Sequence, residues 1–221
     1  MSNEEMLAKV DHTLLKPYAT WADIRQICED AIAYHTATVC IPPSYIGRIR
    51  EAYGDRVKIC TVIGFPLGYQ VTEVKALEAK KALEDGASEI DMVINIGDAK
   101  GGRFDAVTEE IRALKKAVGD HVLKVIIETC YLTEEEKIKL CHCVTEAGAD
   151  FIKTSTGFGS AGANLEDVKL LRANVGPRVK VKAAGGIRSI ADMEDFINAG
   201  ADRLGTSSAI KLIKGENTSG Y

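Results

Sequence analysis

Two rhythms of apolar residues alternate along the chain. Short runs rich in Val, Ile and Leu predict strands at 10–14, 37–41, 57–63, 89–95, 122–128, 151–155, 179–183 and 203–205. Between them lie amphipathic stretches of helical period, several opened by a capping residue. Thr20 precedes 21–33, Thr133 precedes a Glu-rich first turn, and Ser189 precedes 190–199. Strand and helix in strict alternation imply a parallel sheet with right-handed crossovers. Eight such units close a barrel, whereas a doubly wound open sheet usually stops at about five to seven strands. The fold class expected is therefore α/β, a single (β/α)₈ TIM barrel forming one domain over 1–221.

An internal echo supports the count. Gly86, Gly148 and Gly200 each stand in an Ala/Asp-Gly-Ala step between the end of a helical stretch and the start of a strand. A glycine there supplies the left-handed residue that closes a helix, so these three are structural. No linker interrupts the pattern. The tail over 215–221 is polar, contains glycine and is expected to be mobile.

Composition narrows the functional classes. A net charge of -4 with pI near 5.7 offers nothing to nucleic acid or an anionic membrane surface. No run approaches the roughly 20 apolar residues of a membrane span, and the first nine residues lack the apolar core of a signal peptide. A cytoplasmic protein is expected. The six cysteines, in a chain this long and regular, read as reduced thiols and not as a disulfide frame. Cys141-His142-Cys143 has the look of a metal fragment but falls inside a predicted helix, where positions i and i+2 do not share a face. No metal is expected there.

The chemistry should sit where the strands end, because the C-terminal mouth of such a barrel carries the active site. Charged residues stand there inside runs that otherwise read as buried strand: Asp11, Asp91, Lys124, Glu128, Lys153 and Lys182. Ionisable groups are rarely buried without partners. Lys153 and Lys182 fall on adjacent strands. Burial and a neighbouring cation both lower a lysine pKa from about 10.4, giving a neutral amine that attacks a carbonyl. An ordinary ion-pair network packed inside the barrel is the competing reading. Lys180, two residues before Lys182, shares its face unless a bulge intervenes, and is taken as a structural charge. A separate signal comes from the loops after strands 7 and 8, Gly185-Gly186-Ile187-Arg188 and Gly205-Thr206-Ser207-Ser208. Backbone N–H groups in such loops hold phosphate in many barrels.

Taken in order, the runs DHTLL at 11–15, GFPLG at 64–68, EIDMVINIG at 89–97, LKVIIET at 123–129, FIKTSTGF at 151–158, VKAAGGIR at 181–188 and GTSSA at 205–209 resemble bacterial deoxyribose-phosphate aldolases. The resemblance covers nearly the whole chain. It implies a class I aldolase that reversibly cleaves 2-deoxy-D-ribose 5-phosphate to D-glyceraldehyde 3-phosphate and acetaldehyde. It also implies that Lys153 is the Schiff-base nucleophile, that Lys182 lowers its pKa, and that Asp91 and Lys124 move protons. Gly157, Gly185, Gly186, Gly205, Ser207 and Ser208 match the phosphate positions, with Asp11 and Cys40 beside the substrate. Tyr221 matches a terminal tyrosine able to reach the site. A homodimer acting on a small phosphosugar, with no metal and no organic cofactor, is implied. Some relatives place a lysine after the motif glycine where this chain has Phe158.

Overall fold

The structure, a computed structural model, describes residues 1–216. Eight parallel strands close a barrel in sequence order. They are β1 (Val10–Thr13), β2 (Thr38–Ile41), β3 (Ile59–Ile63), β4 (Glu89–Val93), β5 (Val122–Ile126), β6 (Phe151–Lys153), β7 (Lys180–Ala184) and β8 (Arg203–Thr206). The α-helices around it are α1 (Asn3–Leu7), α2 (Trp21–Tyr34), α3 (Ile46–Tyr53), α4 (Thr72–Glu84), α5 (Ile96–Lys100), α6 (Phe104–Val118), α7 (Glu134–Glu146), α8 (Leu165–Asn174), α9 (Ile190–Asn198) and α10 (Ala209–Ile213). The chain thus forms the (β/α)₈ barrel expected. None of these helices is long and apolar enough to cross a membrane.

The caps read from the sequence are made. Thr20, Thr133 and Ser189 each accept the N–H three residues on, and Asp23, Glu136 and Asp192 return the bond, so two orphan donors are satisfied at each start. Gly86, Gly148 and Gly200 take positive φ at the helix exits. At Gly200 a Cβ would also lie 2.7 Å from Arg172 Cγ, so space and backbone angle both demand glycine.

Several strands stop one or two residues before the expected boundary. The ladder continues there through single bonds, Ile94 N to Ile126 O, Ile127 N to Lys153 O and Thr154 N to Lys182 O, while the backbone turns away toward the loops. Glu128, expected at the end of a strand, adopts φ 55 and leaves the parity of β5.

Where the core lies decides what the barrel can do. Outward positions such as Ile90 and Met92 on β4, Leu123 and Val125 on β5, and Val181 and Ala183 on β7 pack under the helices in one continuous cluster. Each fully buried aliphatic side chain there is worth about 1.5–3 kcal/mol. Inward positions alternate with them and are charged: Glu89 and Asp91, Lys124, Lys153, Lys182. Stability resides in the outer annulus, and the interior is left to electrostatics. Lys180 follows the regular alternation without a bulge. It lies at the open N-terminal end of the barrel, exposed, with its ammonium 5.7 Å from the Phe151 ring.

Candidate active site

Parallel register sets the site. Lys153 pairs with Lys182 across β6 and β7, and Asp91 with Lys124 across β4 and β5, so each partner projects inward at the same level. Asp91 gathers them. Its Oδ2 accepts from Lys153 at 2.8 Å and Lys182 at 2.7 Å, and its Oδ1 from Lys124 at 2.9 Å and the Cys60 thiol at 3.2 Å. Burial alone would push this carboxyl up, but Lys124, Lys153 and Lys182 outweigh it and hold Asp91 well below the ordinary range.

Beneath lies a second layer. Asp11 accepts from Thr38 at 2.7 Å and Arg203 at 2.6 Å on one oxygen, and from Lys182 at 2.5 Å on the other. Lys124 stands 3.6 Å from Asp11 and 2.7 Å from Glu89, and Arg203 reaches Glu89 at 3.1 Å. Despite burial, Asp11 and Asp91 keep Lys182 protonated well above the normal lysine value, and Asp11 itself is held far down by Lys124, Lys182 and Arg203. Four cationic groups, Lys124, Lys153, Lys182 and Arg203, therefore face three carboxylates, Asp11, Glu89 and Asp91. Loss of one ammonium proton makes the cluster neutral.

A cavity of about 230 Å³ opens above this cluster. Lys153 lines it, while Lys182, Asp91, Lys124 and Asp11 lie below its floor. The other walls carry all six residues expected to hold phosphate, Gly157, Gly185, Gly186, Gly205, Ser207 and Ser208, together with Arg188. The loops after β6 and β7 touch backbone to backbone, and a Cβ on Gly162 would stand 2.5 Å from the Gly185 carbonyl carbon. Glu128 fixes the first of these loops by accepting from Thr156 N at 3.1 Å and from the Thr156 hydroxyl. Burial raises the Glu128 carboxyl, partly offset by those two donors.

One expected substrate contact needs correction. Asp11 is fully buried with both oxygens occupied, so it acts on Lys182 and not on a ligand. Cys40 packs with Leu15, Cys60, Val62 and Phe65, 1% exposed, with its sulfur within 4.8 Å of an Asp91 oxygen, so it stands beside the charged cluster. Tyr221 lies outside the described residues. Phe158 turns toward Phe65 in an edge-on pair, ring centres 5.4 Å apart, and so forms part of an aromatic rim. Sequence reasoning placed Glu128 at the barrel mouth and Arg188 in a phosphate loop without a role for either, and did not single out Arg203 or Glu89. Glu89 and Glu128 carried the same signal as Asp91, a carboxylate within an apolar strand run.

Cys141 and Cys143 are buried inside α7, as thiols bonded to backbone carbonyls. Ligand atoms of Cys40, Cys60 and Asp91 approach within 4.8 Å of one another. Three ammonium groups already occupy Asp91, and that charge opposes a divalent ion.

Known proteins agree with this geometry. The sequence model of the DeoC/LacD family aldolases matches residues 5–210. A deoxyribose-phosphate aldolase from Clostridium botulinum is 65% identical over 221 residues, covering all of both chains. One from Clostridioides difficile is 58% identical over 218 residues, 99% of this chain and 100% of its own. The tetrameric deoxyribose phosphate aldolase from Aeropyrum pernix superposes with a TM-score of 0.91 at 37% identity, over 97% of this chain and 92% of that one. With family and fold matched along nearly its whole length, the chain belongs to the DeoC/LacD family of aldolases.

Proposed function

We propose that the protein is a class I aldolase that reversibly cleaves 2-deoxy-D-ribose 5-phosphate to D-glyceraldehyde 3-phosphate and acetaldehyde, with Lys153 as the Schiff-base nucleophile. One observation carries this reading. A lysine at the floor of a cavity stands on a buried cluster with a surplus cation, and glycine backbone and serine hydroxyls form the opposite wall. The lining suits a sugar phosphate, its anion held by Gly157, Gly185, Gly186, Gly205, Ser207, Ser208 and Arg188 and its aldehyde turned down to Lys153.

The Lys153 ammonium gives up a proton through Asp91 Oδ2, 2.8 Å away, toward water in the cavity. A carboxylate held so far down passes a proton on and does not retain it. The free amine adds to C1, and loss of water leaves an iminium. The C3 hydroxyl then loses its proton to ordered water, the C2–C3 bond breaks, and the electron pair moves to the iminium nitrogen. The triose phosphate departs. Protonation of the enamine at C2 and hydrolysis release acetaldehyde and restore the amine. Lys182 and Lys124 remain protonated throughout, so the nitrogen of Lys153 always has cations beside it.

Turnover of deoxyribose 5-phosphate, read as acetaldehyde release, tests the proposal. The same sugar without phosphate is expected to bind at least tenfold more weakly, because the anion contacts are lost. No acetaldehyde from the phosphorylated sugar would reject the activity.

Tyr221 is assigned to proton transfer at the enamine carbon and to shielding the mouth. The support is the family resemblance, and Glu216, the last described residue, lines a separate cleft that shares Ser207 and Ser208 with the active-site cavity. Removal of Tyr221 alone is expected to cut kcat about tenfold or more, with Schiff-base formation intact. Tyr221→Phe should restore the shield without the proton transfer. Full turnover in the truncated chain would deny the tail a part.

A cytoplasmic homodimer fits the free thiols among the described residues. It also fits the exposed Leu67, Tyr69 and Val71 just before α4 and the exposed Val74 and Leu77 on its first turns.

A further inference from the structure

Lys75, on α4, is a fully buried lysine with no place in the chemistry above. Its ammonium donates to Glu110 Oε1 on α6 at 2.8 Å and to the Val93 carbonyl at the end of β4 at 2.9 Å. The other oxygen of Glu110 accepts Asn95 N at 3.2 Å. Burial pulls the Lys75 amine down from its usual value, and Glu110 opposes that. A buried pair of this kind adds little net stability but fixes geometry, since each partner strands the other if removed.

What the pair fixes is the loop from Gly64 to Gly68. The Lys75 stem runs against Gly64, where a Cβ would fall 2.8 Å from Lys75 Cε. Gly64 N is held at 2.8 Å by Glu78, one turn along the same helix. At the other end, Gly68 N donates to Gly64 O at 2.8 Å, and a Cβ on Gly68 would lie 2.0 Å from the Ile94 carbonyl oxygen. The loop is thus clamped between α4 and the exit of β4, with Lys75 bonded to both sides. At its tip Phe65 meets Phe158 edge-on, and Phe158 N donates to Thr156 Oγ1 at the start of the loop that lines the phosphate end of the cavity. Asp91 makes no bond to Lys75, Glu110 or Phe65, and its link to this chain of contacts is Cys60, which packs with Phe65 and donates to Asp91. Asp91 sits two residues back inside the ladder, paired with Val62 on one side and Lys124 on the other.

We propose that Lys75 and Glu110 are positioning residues for substrate binding. The pair seats Phe65 against Phe158, and through them sets the Gly157–Gly162 wall that receives the sugar phosphate. The inference rests on the aldolase reading and adds to it a determinant of affinity that leaves the reacting groups untouched.

Lys75→Met combined with Glu110→Gln removes both charges while keeping chain length and the acceptor for Asn95. Relative to wild type, KM for deoxyribose 5-phosphate is expected to rise roughly tenfold with kcat within about threefold. Borohydride trapping with acetaldehyde, which is too small to reach the aromatic rim, should keep its wild-type rate. Phe65→Leu should raise KM similarly. If both act through one wall, the triple variant should stay near tenfold and not approach a hundredfold, because residues in one contact chain do not add independently. Should the charge-free pair prove unstable, Phe65→Leu against Phe158→Leu and their double supply the same cycle, and additive effects there overturn the proposal. An unchanged KM in the double variant, or a fall in kcat and trapping rate together, also overturns it. A wild-type chain without turnover would sink the aldolase reading and this inference with it.

Discussion

Lys182→Met is expected to lower kcat by about two to three orders of magnitude at pH 7 and to recover part of that loss as pH is raised to 9.5. In the wild type, four cationic groups face three carboxylates, which leaves a surplus of one positive charge beside the proposed nucleophile. Without Lys182 the count is three against three with Lys153 still protonated, so the attacking amine is held as ammonium and must be freed by base. Each pH unit needed corresponds to about 1.4 kcal/mol. Folding does not confuse the reading. Lys124, which the variant keeps, is shifted up, so its contribution to stability is complete below the ordinary lysine value and is lost as pH rises from there to the folded value. Asp91 and Asp11 are shifted down, so theirs fades as pH falls below the ordinary carboxylate range. The interval from pH 7 to 9.5 lies inside both limits. A low rate that stays flat across it would mean that Lys182 transfers a proton directly.

Asp91→Asn should cost more, and in two ways at once. Four donors converge on this carboxylate, three of them ammonium groups inside the barrel. An amide offers no charge and one acceptor oxygen in place of two, leaving buried cations short of partners, a loss of about 3–5 kcal/mol. For a chain of this length that corresponds to a fall of roughly 10 °C in melting temperature. The relay from Lys153 disappears as well, and kcat should drop by about a thousandfold or more. Differential scanning calorimetry and a turnover assay separate the two effects. Asp11→Asn is the control, since it disturbs Lys182 and Arg203 without touching Lys153. A stable Asp91→Asn enzyme with near-normal kcat would remove Asp91 from the mechanism.

Fold and site were legible in the sequence to different depths. All eight strands and the three capped helix starts follow from periodicity and cap chemistry, because these are local properties. Strand ends were overextended at 94–95 and 127–128, where single ladder bonds persist after the backbone has turned. Lys153, Lys182, Asp91 and Lys124 stood out as charges in apolar runs; the register pairs Asp91 with Lys124 and Lys153 with Lys182, and the Asp91 carboxylate joins the two pairs. The role of Asp11 was misplaced because a sequence shows that a carboxylate is buried but not that Thr38, Arg203 and Lys182 have claimed its oxygens. Arg203 stands on the far side of Asp11 from its neighbours in sequence, and Lys75 belongs to a helix where a lysine normally reaches solvent. Only long-range packing pairs Arg203 with Asp11 and buries Lys75. Phe158 is informative in the same way, since its meaning comes from Phe65, over ninety positions away.

The central claim is that Lys153 forms the covalent intermediate, and borohydride trapping tests it most directly. Wild-type protein treated with deoxyribose 5-phosphate and borohydride should gain one reduced adduct, and peptide mapping should place it on the fragment containing Phe151-Ile152-Lys153. Lys182, fully buried and held as a cation by Asp11 and Asp91, should remain unmodified. An adduct on Lys182, or no adduct under conditions of turnover, would contradict the account.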